Sequence, residues 1–273
     1  MKRIGGILVF LFLGASMSAQ TYRELALRAI EAARGDSLER AEYLLKKALE
    51  TDPSNPLNAM LFANLGTVER RLGKSDEAID AYSLALNSLP LSVPVLLDRA
   101  SLYLEKNSYE KAYIDYCNVL DVDRKNEEAL LYRAYIYATR RNYKEARIDY
   151  NTLLQKNPDH KMGRMGLAVL NQKEGRLHEA LEEFNQLITS NSNDIALLKA
   201  RANLELEMNT PAMALLDVES ALKIDRKDAD AYLLLGDILL RLKRKKDAYA
   251  AFEKAVTFGI PRPEIQDRLK ASR

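Results

Sequence analysis

Few side chains in this sequence could carry out covalent or metal chemistry. The 273 residues include one cysteine, Cys117, and two histidines, His160 and His178. One cysteine cannot form an intramolecular disulfide, and these three residues cannot build a structural zinc site with several thiolate or imidazole ligands. The sequence also lacks a glycine-rich phosphate loop, a nucleophile-elbow motif and a helix with paired metal ligands. We therefore expect no enzymatic activity, no metal site and no cofactor.

One charged pattern recurs, an arginine followed by an aspartate sixteen residues later. The pairs are Arg99 with Asp115, Arg133 with Asp149, and Arg201 with Asp217. Where leucine replaces the arginine, at Leu65 and Leu235, alanine replaces the aspartate. Two places break the pattern, since Glu183 follows Leu167 and Leu44 follows Arg28. Because both members change together in most units, we predict a structural ion pair, within one unit or between adjacent units, that fixes the geometry of the helices.

The N-terminal residues have the three-part composition of a secretory signal peptide. Lys2 and Arg3 precede an apolar run, and small residues then extend to Ala19. The apolar run is shorter than the roughly 20 residues that a membrane-spanning helix needs. We predict a signal peptide over residues 1–19, cleaved after Ala19 or, alternatively, after Ser18. The mature chain is then expected to be soluble and periplasmic, without a transmembrane segment; the alternative is an anchor formed by an uncleaved N-terminal segment.

The charge balance argues against a nucleic-acid partner. The chain has 41 basic and 39 acidic residues, and removal of the predicted signal peptide leaves 39 of each. A protein that grips nucleic acid usually carries a net basic footprint. Apolar content of 47% and charged content of 29% are typical of a globular protein. We expect a globular chain that binds no nucleic acid.

A period of 34 residues dominates the rest of the chain. Small residues recur in two series, Ala29, Gly66, Ala100, Ala134, Ala168, Ala202, Gly236 and Ala41, Ala78, Ala112, Ala146, Ala180, Ala214, Ala248. A mostly aromatic series accompanies them, Leu45, Tyr82, Tyr116, Tyr150, Phe184, Val218, Phe252. The first interval in each series is 37 residues, which implies a three-residue insertion. Such fixed-period similarity is the signature of stacked repeats.

Each repeat is expected to be a hairpin of two helices. Apolar residues at helical spacing define both helices, and the small residues would let the two helices approach closely. Asn142 stands three residues before Glu145, a capping-box pattern at the start of a second helix. The same pattern occurs as Asn107 with Glu110 and as Asp36 with Glu39. Since one hairpin cannot bury its own apolar faces, neighbouring hairpins must stack.

These features together resemble the tetratricopeptide repeat, a helix–turn–helix of 34 residues. The most similar segments are LFANLGTVERRLGKSDEAIDAYSLALNSLP at 61–90 and YLLLGDILLRLKRKKDAYAAFEKA at 232–255. The resemblance covers 22–261 as seven units and implies an all-α, right-handed superhelical solenoid of helical hairpins. Residues 262–273 are expected to form a capping segment with a short helix. The sequence departs from the family pattern in lacking tryptophan and in placing Arg164 at an apolar position.

The resemblance also implies a partner-binding site. In similar proteins the concave face of the first helices binds peptide segments, and aromatic and methionine side chains suit such a groove. The residues that the resemblance places there are Leu131, Tyr135, Met165, Val169, Lys199 and Asn203. Lys199 and Asn203 also match two residues of a clamp for a terminal carboxylate. Asp230 and Leu234 stand where further basic and amide groups would be needed, so the clamp is incomplete.

We therefore expect a periplasmic scaffold or adaptor that binds unidentified envelope proteins. Two alternatives remain open at this point. One is a structural or self-assembling envelope component, since the sequence leaves the oligomeric state undetermined. The other is binding of an anionic surface through the segment RLKRKK at 241–246. That segment begins a C-terminal region, 241–273, with ten basic and four acidic residues.

Overall fold

The fold is known from a computed structural model, which describes residues 17–273, with side chains from Gln20 onward. The predicted signal peptide therefore lies outside the described side chains. All regular structure in the described residues is helical, as predicted. The helices are α1 (Met17–Arg34), α2 (Leu38–Thr51), α3 (Asn58–Arg71), α4 (Ser75–Ser88), α5 (Val93–Glu105), α6 (Tyr109–Val122), α7 (Glu127–Thr139), α8 (Tyr143–Lys156), α9 (Lys161–Lys173), α10 (Leu177–Ser190), α11 (Ile195–Glu207), α12 (Pro211–Ile224), α13 (Ala229–Arg241), α14 (Lys245–Thr257) and α15 (Gln266–Ala271).

The chain divides into two compact units at residues 136 and 137. In the first unit, α1 packs on α2, α3 on α4, and α5 on α6. In the second unit, α9 packs on α10, α11 on α12, and α13 on α14. The all-α helical-hairpin repeat fold is thus confirmed. The handedness of a superhelix and the domain boundaries at 22–261 and 262–273 stay predictions.

Small residues form the seam between the two helices of a hairpin within each unit. A Cβ atom added to Gly66 would lie 2.7 Å from the ring of Tyr82, and one added to Gly236 would lie 2.2 Å from the ring of Phe252. Ala112, like the other alanines of both series in the described residues, is completely buried or nearly so. The close approach of the helices therefore depends on side chains no larger than alanine.

The turn inside each hairpin has a feature that the sequence analysis missed. One residue in each turn adopts the left-handed conformation, and these residues are Asp36, Gly73, Asn107, Arg141, Gly175, Asn209 and Lys243. In the third hairpin the Asn107 N–H donates to the Leu104 carbonyl at 3.0 Å, and the Ser108 N–H donates to the Tyr103 carbonyl at 2.7 Å. This is the Schellman arrangement, which satisfies the last carbonyls of the first helix.

The capping-box prediction was wrong at all three places: at two of them the left-handed turn residue occupies the position, and at the third the N-cap side chain makes no capping bond. Asp36 and Asn107 are the left-handed residues themselves, with φ of 60° and 56°. Asn142 is the N-cap of α8, but its side chain makes no capping hydrogen bond. The second helices α2 and α6 begin after Ser37 and Ser108, which also lack a side-chain capping bond.

The C-terminal segment covers the last hairpin. A 3-10 turn (Arg262–Ile265) leads into α15. Ile265 and Leu269 are buried in one cluster with Leu239, Ala248 and Phe252 of α13 and α14. This is the short capping helix that the sequence predicts. Among the described residues, no helix combines the length and the apolar character that a bilayer crossing requires.

Candidate functional site

In the first unit, the predicted site residues Leu131 and Tyr135 lie one turn apart on α7. Leu131 is half-buried, whereas 43% of Tyr135 is exposed. The Tyr135 ring lies 6.4 Å from the ring of Tyr109 at the start of α6. Partial burial raises the pKa of Tyr135, and the neighbouring Tyr109 hydroxyl adds to that rise. Tyr135 therefore presents an aromatic surface whose ring is supported by a neighbour.

Polar side chains on the first helices of this unit are already bonded to each other. The Arg70 Nη2 atom donates to Ser101 Oγ at 2.6 Å and to Glu105 Oε1 at 2.7 Å. Arg70 Nη1 also lies 3.6 Å from Asp98. These contacts join α3 to α5 and pre-order the polar part of the first-helix face, at positions equivalent to Tyr135 and its neighbours.

In the second unit, α9 carries an exposed apolar stripe. Met162, Met165 and Val169 follow at intervals of three and four residues, so they lie on one face of the helix. Met162 is 50% exposed and Val169 is 43% exposed, while Met165 between them is half-buried. We call these three residues the α9 stripe. Among the described first helices, it is the largest exposed apolar group.

Lys199 and Asn203, the predicted site residues on α11, have structural contacts that the sequence did not reveal. The Lys199 ammonium lies 2.7 Å from Asp228 and 4.0 Å from Asp230. Asp228 also accepts a hydrogen bond from the Ala231 N–H and so caps α13. Although burial acts to raise it, the pKa of Asp228 lies below its ordinary value because Lys199 donates to the carboxylate.

The consequence is that Lys199 joins α11 to α13 and its charge is neutralised within the chain. Asn203 donates to the carbonyl of Lys199 at 2.9 Å, and its side chain remains exposed. A carboxylate clamp built on Lys199 would have to compete with Asp228, in agreement with the incomplete motif. Asn203 and the α9 stripe are therefore the more accessible parts of this face.

The predicted ion pairs are present where both members lie in one unit. Arg99 Nε and Nη2 contact the two carboxylate oxygens of Asp115 at 2.8 and 2.7 Å, and Arg201 contacts Asp217 likewise at 2.7 and 2.6 Å. Both aspartate side chains are buried. This is the bidentate geometry that makes guanidinium–carboxylate pairs strong.

Each of these arginines also bonds to the preceding hairpin. The free Nη1 atom of Arg99 donates to Ser83 on α4 at 2.9 Å, and that of Arg201 donates to Asn185 on α10 at 2.7 Å. Arg133 makes the corresponding backward contact to Cys117 Sγ at 3.7 Å. Arg99 and Arg201 thus each join three helices, which makes the role of these arginines structural. The forward pair of Arg133 with Asp149 stays a prediction.

Arg164 explains the exception in the fifth repeat. Its Nη1 atom lies 2.9 Å from Glu183, the carboxylate that follows Leu167 by sixteen residues. Its Nε atom donates to the Pro158 carbonyl at 2.7 Å. The fifth repeat therefore keeps an ion pair, here partly buried, but supplies the arginine from one turn earlier on the first helix. This accounts for a charged residue at an otherwise apolar position.

Two buried glutamates were not singled out from the sequence. Glu69 and Glu205 occupy the same repeat position, and they are 2% and 5% exposed. One Glu69 oxygen lies 3.1 Å from Lys46, while the other oxygen has no hydrogen-bond partner among the described residues. The Oε2 atom of Glu205 also lacks a partner there. At the same position Leu239 is apolar, so this buried position holds an acid in some repeats and an apolar side chain in another.

The surroundings of Glu205 disfavour its ionised form. Burial raises the pKa of Glu205 to about 7, and the neighbouring Asp217 carboxylate adds to the rise. The Arg201 guanidinium opposes both effects. Burial likewise raises the pKa of Glu69, against the influence of Lys46.

A polar cleft lies beside the N-terminus of α9, lined by residues that include Asp159, Lys161, Arg164, Thr189 and Ser190. Its two cations are occupied, since Lys161 lies 2.5 Å from Asp194 and Arg164 is bonded to Glu183. Within the described part of the chain, no three His, Cys, Asp or Glu side chains are grouped to hold a metal ion. The exposed first-helix surfaces therefore remain the main candidates for binding.

Comparison with known proteins supports the repeat assignment over most of the chain. The profile of the tetratricopeptide repeat matches residues 26–93, 63–126, 97–159, 133–195 and 199–263. The crystal structure of a tetratricopeptide repeat protein from Parabacteroides merdae ATCC 43184 is 35% identical in sequence, with a TM-score of 0.71. The match covers 93% of this chain and 99% of that one.

Curated relatives match over shorter stretches. The human DnaJ homolog subfamily C member 7 is 35% identical over 88 residues, which is 32% of this chain and 18% of the relative. The mitochondrial import receptor subunit TOM34 from Rattus norvegicus is 34% identical over 92 residues, which is 34% of this chain and 29% of the relative. The chain thus spans less than a third of the length of these relatives.

Proposed function

Because the chain belongs to the tetratricopeptide repeat family, we propose that it is an exported scaffold that binds peptide or helical segments of envelope proteins on its first-helix faces. The repeats imply a protein–protein interaction scaffold. The finer part of the proposal concerns the location of the protein and the residues that bind. The observation that carries it is the exposed α9 stripe, with Asn203 on the neighbouring first helix.

The α9 stripe has the chemistry of an anchor site for a partner side chain. Methionine adapts its shape to different apolar groups, and valine gives the stripe a rigid edge. Burial of a complete side chain of this size contributes about 1.5–3 kcal/mol, so three partly exposed side chains contribute about 3 kcal/mol together. A micromolar complex requires about 8 kcal/mol. The partner must therefore also form polar contacts, for which the exposed carboxamide of Asn203 is available.

Tyr135 offers a second anchor in the first unit. A half-exposed tyrosine combines a large apolar face with a hydroxyl, the combination found at the energetic centres of protein interfaces. The contacts of Arg70 with Ser101 and Glu105 hold neighbouring first-helix positions in place. Such pre-ordering lowers the entropy that binding would otherwise cost.

Site-specific photo-crosslinking in the producing cell tests the proposal. A photoreactive amino acid at Val169 should crosslink to a discrete protein, and the product should disappear when Met162→Glu is introduced in the same chain. The same amino acid at Glu219, which is exposed on the second helix α12, is the matched control. Equal crosslinking from positions 169 and 219, or persistence of the product in the Met162→Glu variant, would contradict binding at the α9 stripe.

Export needs a separate test. Residues 1–30 fused to alkaline phosphatase, which is active only after export, should produce an active enzyme. A second fusion that lacks residues 4–13 is the control and should be inactive. Activity of both fusions, or of neither, would remove the periplasmic part of the proposal while leaving the interaction scaffold intact.

Self-assembly is the second candidate function, and exposed apolar side chains on α12 favour it. Met213, Leu216 and Ile224 are each between 45% and 57% exposed on this second helix. If this surface joined copies of the chain, light scattering at micromolar concentration would detect an oligomer that Leu216→Glu dissociates. A monomer at that concentration would favour the scaffold with an open first-helix face.

A further inference from the structure

The turn between α13 and α14 carries an unusual concentration of positive charge. Five of the six residues at 241–246 are basic, and all five are exposed. We define these residues as the basic turn, and we propose that it binds the surface of an anionic lipid bilayer. The basic turn is separate from the α9 stripe and Asn203, so this proposal does not depend on the proposed scaffold function.

Most of these cations have no acidic partner. Within the described residues, the one ion pair of the basic turn joins Arg244 to Asp247 at 2.8 Å. Arg241, Lys243, Lys245 and Lys246 make no ion pair there. Their charges are therefore available to an anionic surface.

Two lysines at earlier turns pair with acids of a neighbouring hairpin. Lys74 lies 2.7 Å from Glu42, and Lys106 lies 2.8 Å from Asp76; each partner belongs to the preceding hairpin. In the hairpin before the basic turn, the turn residue is Asn209, which has no charge and so cannot neutralise a cation of the basic turn. Lys74 and Lys106 thus join hairpins. Arg176, by contrast, pairs with Glu179 on its own helix at 3.0 Å, as Arg244 does with Asp247, and the other four cations of the basic turn make no ion pair within the described residues.

Local stability does not account for the lysines of the basic turn. Lys243 has a φ of 60°, the left-handed conformation that Arg141 and the glycines Gly73 and Gly175 adopt in other repeats, so this position does not require a lysine. Lys245 and Lys246 are the first two residues of α14, where the helix dipole disfavours positive charge. Lys245 and Lys246 are thus at positions that disfavour their charge, and neither they nor the exposed Lys243 makes an ion pair within the described residues, which indicates that their charge serves binding.

The composition of the basic turn favours a lipid surface over an acidic peptide. Three of the five cations are lysines, which act as point charges on flexible stems, whereas arginine supplies the bidentate geometry that selects a particular carboxylate. Leu242, the one apolar residue of the turn, is half-buried and offers no exposed anchor. The affinity of such a lysine-rich cluster depends on the charge density of the surface that it meets, and not on the position of any single carboxylate. On an anionic bilayer each cation without an ion pair strengthens binding about fivefold. The four such cations of the basic turn would together strengthen it on the order of 500-fold.

Vesicle binding tests the proposal with the full chain. Co-sedimentation is measured with phosphatidylcholine vesicles that contain phosphatidylglycerol and with vesicles of phosphatidylcholine alone, each at low and high salt. We expect salt-sensitive binding to the anionic vesicles. Lys245→Gln/Lys246→Gln should weaken it on the order of 30-fold, since two charges are removed. Residues 1–19 are common to all chains compared, so differences between chains report the substituted positions.

Two further variants make the result specific. Lys223→Gln/Lys227→Gln removes the same charge from exposed positions outside the basic turn and should retain most of the binding. Lys245→Arg/Lys246→Arg keeps the charge and should retain all of it. The Lys245→Gln/Lys246→Gln variant should melt at the same temperature as the parent or higher, because it removes cations from a helix N-terminus.

Three results would overturn the proposal. One is an equal loss of binding in the Lys223→Gln/Lys227→Gln control. Another is a lower melting temperature in the Lys245→Gln/Lys246→Gln variant, which would make these lysines structural. The third is that the basic turn is needed for binding poly-L-glutamate but not for binding the anionic vesicles, which would assign an acidic protein segment as the partner instead.

Discussion

Replacing Glu205 by glutamine tests whether one buried carboxyl weakens the second unit as the pH rises. The Glu205 side chain is nearly inaccessible, and its Oε2 atom has no hydrogen-bond partner among the described residues. Its charged neighbours are Asp217, which disfavours ionisation, and Arg201, which favours it. Burial, the largest influence, raises the pKa from the ordinary 4.5 to about 7.

The sign of the effect follows from this shift. The folded chain holds the Glu205 proton more tightly than the unfolded chain, so ionisation favours unfolding. The stabilisation from the protonated carboxyl is complete below about pH 4.5 and is lost as the pH rises to about 7. A shift of this size corresponds to about 3 kcal/mol in the free energy of unfolding.

The assay is urea unfolding of the parent chain and of Glu205→Gln at a pH near 4 and a pH near 8, monitored by circular dichroism. Glutamine also brings a buried polar group, so its pH-independent cost is removed by comparing the two pH values. Relative to the parent, the variant should gain roughly 2–3 kcal/mol between the acidic and the alkaline condition. Glu219→Gln, at an exposed position on α12, is the control and should show no such gain. A pH dependence that is the same in the parent and in Glu205→Gln would refute the reasoning.

Three further substitutions test the repeat geometry by thermal melting. Asp217→Ala should destabilise the chain by about 3 kcal/mol or more, because it leaves the Arg201 guanidinium partly buried without its carboxylate; an unchanged melting temperature would exclude a structural ion pair. Arg141→Gly should stabilise the chain by roughly 1 kcal/mol, because glycine adopts the left-handed turn without strain, and a lower melting temperature would contradict this. Gly236→Ala should destabilise it by about 1 kcal/mol or more, since the new Cβ atom would lie 2.2 Å from Phe252. Adding Phe252→Val to Gly236→Ala should recover part of that loss, and simple additivity of the two costs would argue against a close-packed seam.

The hairpin architecture could be predicted from the sequence because it depends on patterns that repeat. Ala112 and Ala146 recur at the same interval as their equivalents in other repeats, and the residue at such a position meets the same neighbour each time. The pairs of Arg99 with Asp115 and of Arg201 with Asp217 could be predicted for the same reason. Each pair joins the two helices of a single hairpin, so its spacing is constant.

The turns were predicted only in part, because the left-handed position accepts different residue types. Asn107, Arg141 and Lys243 occupy it as well as glycine. The backbone hydrogen bonds of the Schellman motif determine this conformation, and they depend on no particular side chain. The capping-box pattern at Asn107 was therefore coincidental.

The sequence predicted which positions of the candidate site lie on first helices. It did not predict which of their side chains are free to contact a partner. Tyr135 and Val169 are exposed on first helices, as a binding face requires. Lys199 is on the same kind of face, but Asp228 from the next hairpin neutralises it. That contact joins residues of different repeats, and the sequence spacing alone did not indicate it.

The sequence by itself determined the repeat length, the two helices of each hairpin and the need for small side chains between them, because these follow from periodicity and residue volume. Only the tertiary structure decided which charged side chains form ion pairs and which carboxyl groups are buried away from water. Arg164 finds Glu183 and Lys199 finds Asp228, whereas Glu205 has an oxygen without a partner. Pairing and burial depend on distances between side chains of different helices, and stacking of the hairpins sets those distances.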